Sequence, residues 1–234
     1  MGGQSLNFSS QWPERKYRVI YADPPWRFDT YSDKGRSRAA DNHYRVMSRD
    51  DLLALPTGQL AADDGCVLLL WTTSDQLGWA VSTLIPAWGF IYKSVGPVWL
   101  KTKKPQALAT ALSMTPGPLC PEAVLADEPW AERIEQCLCL GLGYHFQQQV
   151  ELCLVATTPK VPQRKPGGVR QVVAAPRREH SRKPDEVYDR IEARYAGPYI
   201  ELFSRTERAG WDCWGDECGK FEEAVPVANR AVAH

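Results

Sequence analysis

Four consecutive residues, Asp23-Pro24-Pro25-Trp26, combine a carboxylate, two prolines of fixed backbone and an aromatic ring. This set suits one reaction, methylation of an exocyclic amine on a nucleobase swung out of its stack. Such an amine is a poor nucleophile because its lone pair is delocalised into the ring. A carboxylate oxygen and a proline carbonyl can each accept one of its N–H hydrogens. That draws the nitrogen toward a tetrahedral shape and aims the lone pair at an electrophilic methyl group. Proline fixes φ, so the carbonyl direction is set in advance, and such preorganisation supplies much of the catalysis. Trp26 offers a face for the extruded base. The same residues could also form a rigid strand exit with a packed Trp, since X-Pro steps favour extended and turn backbone.

The elements around these residues bear on that choice. The run Tyr17-Arg18-Val19-Ile20-Tyr21-Ala22 reads as a short buried strand that ends at Asp23. Ser48 is placed as the N-cap of a helix, with Asp51 closing a weak capping box. The unbroken apolar run Cys66-Val67-Leu68-Leu69-Leu70-Trp71 fits a strand buried on both faces. A helix is expected from Asp75 to Ala87. Strand structure follows from Phe90 to Lys101, interrupted at Gly96-Pro97. Residues 102–140 are rich in Pro, Ala and Cys and read as an insertion or lid, with a helix around Glu132 to Leu140. Glu151 to Ala156 is another strand, and the Pro/Gly-rich basic residues 159–170 a loop. Pro184 sits at a helix start, and Val187, Tyr188, Ile191 and Tyr195 give that helix an apolar face. Gly197-Pro198 ends it, and Tyr199 to Phe203 is the last clear strand. Strands alternating with helices predict one α/β domain over residues 1–234 with a mostly parallel sheet, an N-terminal arm (1–14) and a tail (221–234). Ligands of such sheets bind beyond the carboxyl ends of the strands. Asp23, Trp71 and the residues after Phe203 all fall at such ends.

Composition narrows the classes. The chain has 234 residues, 44% hydrophobic, and its 28 Lys+Arg balance 28 Asp+Glu for a net charge of +0. A neutral domain does not coat nucleic acid through phosphate neutralisation alone. No stretch approaches the ~20 apolar residues of a membrane span, and no secretory signal is present. Met1-Gly2-Gly3-Gln4-Ser5-Leu6 has Leu6 where a myristoylation site needs Ser or Thr. A cytoplasmic location is expected. The seven cysteines lack zinc-ligand couplets and read as reduced, mostly buried thiols, with no metal site.

Several motifs stand in order: Asp23-Pro24-Pro25-Trp26; Asn42-His43-Tyr44 with Met47-Ser48; Leu70-Trp71-Thr72; Gly141-Leu142-Gly143-Tyr144 with Glu151; Arg178 through Glu186; Glu201-Leu202-Phe203-Ser204-Arg205; and Trp211 through Glu217. Together they resemble the DPPW-containing adenine methyltransferases, which include the catalytic subunit of the eukaryotic mRNA adenosine methyltransferase and bacterial and phage relatives. The resemblance runs from about Tyr17 to Glu217 and is weakest over residues 102–140.

The resemblance implies a Rossmann-like S-adenosylmethionine fold of permuted order, with the catalytic motif ahead of the cofactor strand. Glu201, Leu202, Phe203 and Arg205 would then line the cofactor's adenosine part, with Arg205 reaching toward its ribose. Asp216 and Glu217 would close the same site. Lys183 beside a helix N-terminus makes a doubly positive spot for the cofactor's carboxylate. Asp23 would hold the cofactor's amino group or the target amine. Trp26 and Tyr44 would sandwich the base, with His43, Trp71 and Glu151 about the substrate. Two departures stand out. Asp216 replaces an Asn of many relatives, and an ionised carboxylate cannot donate a hydrogen bond. Gln147-Gln148-Gln149 replaces a basic position.

The expected activity is methylation of the adenine exocyclic amine in nucleic acid, DNA ahead of RNA because the chain is compact and carries no separate RNA-binding module. A homodimer or a partner subunit stays open. The rivals are an inactive nucleic-acid-binding partner, and a methyltransferase of free nucleotides or protein glutamine. Lys101, Lys103, Lys104, Arg164, Lys165, Arg170, Arg177 and Arg178, with Arg36 and Arg38, are placed in basic loops around the mouth of the site.

Overall fold

The computed structural model describes residues 11–26, 46–105, 129–141, 145–179 and 182–220. Seven strands form one mixed sheet: β1 Val19–Ala22, β2 Val67–Thr72, β3 Ile91–Thr102, β4 Val150–Thr157, β5 Val172–Pro176, β6 Tyr199–Leu202 and β7 Trp211–Trp214. Their order is β5-β3-β4-β2-β1-β6-β7. β1 is parallel to both β2 and β6, β7 is parallel to β6, and β5 to β3; β4 runs antiparallel to β2 and β3.

The apolar runs are unbroken because both faces of the central strands are covered. Ile20, Ala22, Leu68, Leu70, Ile200 and Leu202 point into one core. It is closed by Leu52 of α1 (Arg49–Ala54) and by Ala80, Leu84 and Ile85 of a helical stretch. That stretch comprises α2 (Leu77–Trp79), a π-helical turn (Ala80–Leu84) and α3 (Ile85–Ala87). The alternate residues Val19, Tyr21, Val67, Leu69 and Trp71 point into a second core. There they meet Val187, Tyr188 and Ile191 of the helix Glu186–Arg194. Another helix, α4, spans Pro129–Cys137, and Glu186–Arg194 is α5. The period of two on each strand thus feeds two hydrophobic layers.

The Ser48 capping box forms in full: Ser48 Oγ accepts from the Asp51 amide and Asp51 accepts from the Ser48 amide. β3 does not stop at Gly96-Pro97. It bulges there, with its register against β4 shifting between Val95 and Val98. Gly96 is needed because a Cβ would stand 2.5 Å from Val155 Cγ2. The edge strands β5 and β7 are additions to the sequence expectation. In β5 only Val173 and Ala175 are buried. Cys66 and Cys153 are buried, while Cys137, Cys139, Cys213 and Cys218 are half-buried, fewer buried thiols than expected. Among the described residues no helix is long and apolar enough to cross a membrane.

Candidate active site

β1 ends at Ala22, between β2 and β6, so Asp23 emerges at the centre of the sheet's carboxyl edge. The next residues are locked by backbone contacts. Trp26 N–H donates to the Pro24 carbonyl at 2.8 Å, and Met47 N–H donates to the Pro25 carbonyl at 3.0 Å. A carbonyl oxygen has two lone pairs, so Pro24 can accept one further hydrogen. Trp26 is only 5% exposed. Its indole N–H donates to the Trp71 carbonyl at 3.2 Å, and its ring meets Trp79 edge-on at 6.3 Å. The expected open stacking face is therefore covered, because the ring ties the proline turn to the end of β2. Trp71 is likewise buried, at 1% exposure, and its indole N–H donates to Tyr21 Oη at 2.6 Å.

A charge network spans the crevice. Lys183 Nζ lies 2.7 Å from Asp23 Oδ2 and 3.1 Å from Glu151 Oε2. Lys101 Nζ reaches Glu151 Oε1 at 2.5 Å, and Arg205 Nη2 stands 3.8 Å from Asp23 Oδ2. Lys183 also sits over the Trp71 ring, 5.4 Å from its centroid. Burial alone would lower the Lys183 ammonium, but Asp23 and Glu151 outweigh it and hold it well above its ordinary value. Burial alone would raise Glu151; Lys183 and Lys101 hold it below the usual carboxylate range. Three basic side chains, Lys183, Lys101 and Arg205, thus face two acidic ones, Asp23 and Glu151.

The helix-terminus role expected for Lys183 is not what places it. α5 starts at Glu186, its N-cap Asp185 makes no side-chain cap bond, and Lys183 precedes the cap. Arg178 sets the turn instead, gripping both oxygens of Asp185 at 2.9 Å and donating to the Lys183 carbonyl. Arg178 is thus spent on holding the turn, and Lys101 on Glu151, rather than on a nucleic-acid contact.

β6 brings the second half of the site. Glu201 is buried beside β1 and accepts from Tyr188 Oη at 2.8 Å. Ser204 Oγ stands 2.8 Å from Glu201 Oε2 and 2.7 Å from the Thr206 carbonyl. Burial pushes Glu201 up to about 7; the hydroxyls of Ser204 and Tyr188, which donate to it, oppose the shift, and the Asp23 charge adds to it. Phe203 then turns the chain at φ 63, a left-handed conformation rare for an aromatic residue. It is held by Trp214, whose ring meets Phe203 edge-on at 5.8 Å and whose carbonyl accepts the Ser204 amide at 3.1 Å. Gly215 permits this approach: a Cβ there would lie 2.9 Å from Ser204 N and O. Strain of this kind gathers at functional turns.

Asp216 is exposed, and Glu217 pairs with Lys220. His43, Tyr44, Arg36, Arg38, His180 and Ser181, with residues 106–128 of the 102–140 segment, residues 1–10 of the N-terminal arm and the tail, lie outside the described residues. The network members missed in the sequence are Tyr21 and Tyr188, which support Trp71 and Glu201. A hydroxyl inside a buried strand, two residues before Asp23, was the available signal.

A central sheet with an acid-proline-proline-aromatic turn at its carboxyl edge, and a buried acid on the neighbouring strand, defines a Rossmann-like α/β methyltransferase. The MT-A70 family model matches residues 17–116 and 131–217, and the chain belongs to that family. It is 31% identical over 234 residues to the type II methyltransferase M.MunI of Mycoplasma sp, covering 93% of this chain and 84% of that one. It is 27% identical over 216 residues to the mouse N(6)-adenine-specific methyltransferase METTL4, covering 89% of this chain and 39% of METTL4. It is also 27% identical over 227 residues to the N6-methyladenosine RNA methyltransferase MTA1 of Pyricularia oryzae, covering 88% and 48%.

Proposed function

We propose that the chain transfers a methyl group from S-adenosylmethionine to the exocyclic amine of adenine in nucleic acid, DNA before RNA. The observation that carries this reading is the pairing of the Asp23 carboxylate with the Pro24 carbonyl on one rigid turn. The carboxylate and the carbonyl's second lone pair accept the two amine hydrogens and expose the nitrogen lone pair. Lys183, 2.7 Å from Oδ2, holds the Asp23 carboxylate in place. The cofactor, when bound, supplies an electrophilic methyl on a sulfonium.

The residues fit that cofactor. Lys183 has three N–H donors. Two are directed at Asp23 and Glu151, and the ammonium's positive charge suits the cofactor's carboxylate. Glu201, Phe203 and Arg205 line the adjacent turn, where a buried acid suits ribose hydroxyls; Asp216 and Glu217 stand at the end of β7. The preference for DNA rests on M.MunI, matched along most of both chains, whereas less than half of METTL4 or MTA1 is matched. His43 and Tyr44 complete the base site in this reading. A single domain acting in the cytoplasm fits it, and a homodimer is compatible with it.

The test is transfer of labelled methyl to duplex DNA, single-stranded DNA and RNA, with digestion to nucleosides. Asp23→Asn should lower the rate about 10²- to 10³-fold while cofactor binding is measured separately. A labelled product unaffected by the substitution, or no labelled adenine nucleoside from any substrate, would refute the assignment.

A further inference from the structure

The cations expected around the catalytic mouth do not all lie there. Arg164 and Arg170 line a cavity of about 750 Å³ together with Lys93, Arg190 and Arg194. This cavity is away from Asp23. Its walls include Thr157, which pairs with Val67 at the start of β2, whereas Asp23 follows Ala22, which pairs with Leu70. Asp23 is four residues further along the sheet than Thr157, about 13 Å at ~3.3 Å per residue, and two further than Leu69, the nearest β2 residue of the cavity wall. The cavity therefore opens at the amino ends of β1 and β2, between β3, the 159–171 loop and the carboxyl half of α5.

Among the described residues five cations line it and no carboxylate does. In a chain of net charge +0, this is charge gathered on one face. Two of the arginines, Arg190 and Arg194, are held by backbone carbonyls. Arg190 donates to the Arg170 carbonyl at 2.6 Å, and Arg194 to the carbonyls of Gly167 at 2.9 Å and Lys165 at 3.3 Å. A guanidinium has five N–H donors, so each retains several. Burial lowers the Arg190 guanidinium, Glu186 offsets part of that, and the Arg170 cation adds to it. Like charges held together without an acid in the cleft are suited to an anion that is not yet present.

We propose that this cleft is a phosphate-gripping surface that binds the backbone of the nucleic-acid substrate at a distance from the reacting base. The proposal rests on the nucleic-acid reading above. A duplex carries a phosphate every ~3.4 Å on each strand. A duplex whose target base enters at Asp23 therefore presents several phosphates within the distance to the cleft. Such contacts position the substrate without reading its sequence.

The test uses the full chain and the triple substitution Lys93→Gln, Arg164→Gln, Arg170→Gln, all at exposed positions outside the catalytic network. Affinity for labelled duplex DNA, single-stranded DNA and RNA is read by fluorescence polarisation across a salt series. Cofactor affinity is read by calorimetry as the control for folding. The expected result is weaker binding, with the slope of log K against log salt reduced by about 2 to 3, and unchanged cofactor affinity. Unchanged nucleic-acid affinity and slope would overturn the proposal, as would a wild-type chain that binds no nucleic acid. Pyrophosphate binding that is lost in the triple variant, with nucleic-acid affinity intact, would assign the cleft to a small anion and also overturn it. Methyl transfer is scored apart, so failure of the catalytic reading leaves these slopes to decide the cleft.

Discussion

Lys183→Met tests whether the charge network holds the site together. The side chains of Lys183, Asp23 and Glu151 are 8%, 16% and 13% exposed. Removing one partner of a buried ion pair costs about 3–5 kcal/mol, because the remaining charge stays buried without compensation. Here Lys101 still faces Glu151 and Arg205 still stands near Asp23. The lower end, about 3 kcal/mol, therefore applies, which for a domain of this size lowers Tm by roughly 6–12 °C. The pH dependence follows from the direction of each shift. Glu151 is depressed from an ordinary 4.5, so its contribution is present above that pH and is lost as pH falls. Lys183 is raised from 10.5, so its contribution is present below that pH and is lost as pH rises further. The wild-type advantage should be full near pH 7.5 and shrink toward pH 4, where Glu151 of the variant, with one cation fewer beside it, takes up a proton. Scanning calorimetry of both proteins at pH 7.5, 5.5 and 4 measures it. A variant as stable as wild type at pH 7.5 would show that the network contributes nothing to folding, and a deficit that ignores pH would show that the loss is one of packing and not of charge.

Two further substitutions probe the turn after β6. Glu201 carries a carboxyl raised from 4.5 to about 7, so ionising it costs the folded state, and wild-type stability falls as pH rises through that window. Glu201→Gln removes the titration, so relative to wild type the variant should gain about 3 kcal/mol between pH 4.5 and 8.5, read from urea midpoints; parallel curves would refute it. Gly215→Ala drives a methyl against the Ser204 backbone and should cost about 1–3 kcal/mol while weakening cofactor binding, measured by calorimetric titration. Full cofactor affinity in a destabilised Gly215→Ala would separate that turn from the binding site.

Much of the frame was legible because each signal was local. The apolar run ending at Asp23 became β1, and the Ser48 capping box became the start of α1. Continuous burial on β2 could be read from six apolar residues because both faces are covered. The edge strands were not legible for the converse reason. β7 is four residues long, holds Asp212, and has only β6 beside it, so no continuous run marks it. β5 alternates exposed and buried residues next to a basic loop. The network at the site was legible by residue type and not by partner. Lys183 and Asp23 lie 160 residues apart, and nothing local pairs them. Arg164 and Arg170 were misplaced for the same reason. Their loop reads as basic and mobile-looking in sequence, but the end of the sheet on which it falls is set by the crossing from β4 to β5.

The pairing of Lys183 with Asp23 constrains how both can act. If Asp23 is to accept a hydrogen from the target amine, it must do so with an oxygen or lone pair that Lys183 does not occupy. The contact is to Oδ2, with Arg205 approaching the same oxygen at 3.8 Å. Both cations therefore collect on one side of the carboxylate. A carboxylate accepts at both oxygens, so Oδ1 is the atom through which Asp23 can meet the amine beside the Pro24 carbonyl. The cations serve this by holding the plane of the carboxylate, since a partial turn about χ2 would lengthen the contact with Lys183. Glu151 plays the corresponding part for Lys183, and Lys101 for Glu151. The position of the Asp23 carboxylate is thus linked through Lys183 to Glu151 on β4 and Lys101 on β3.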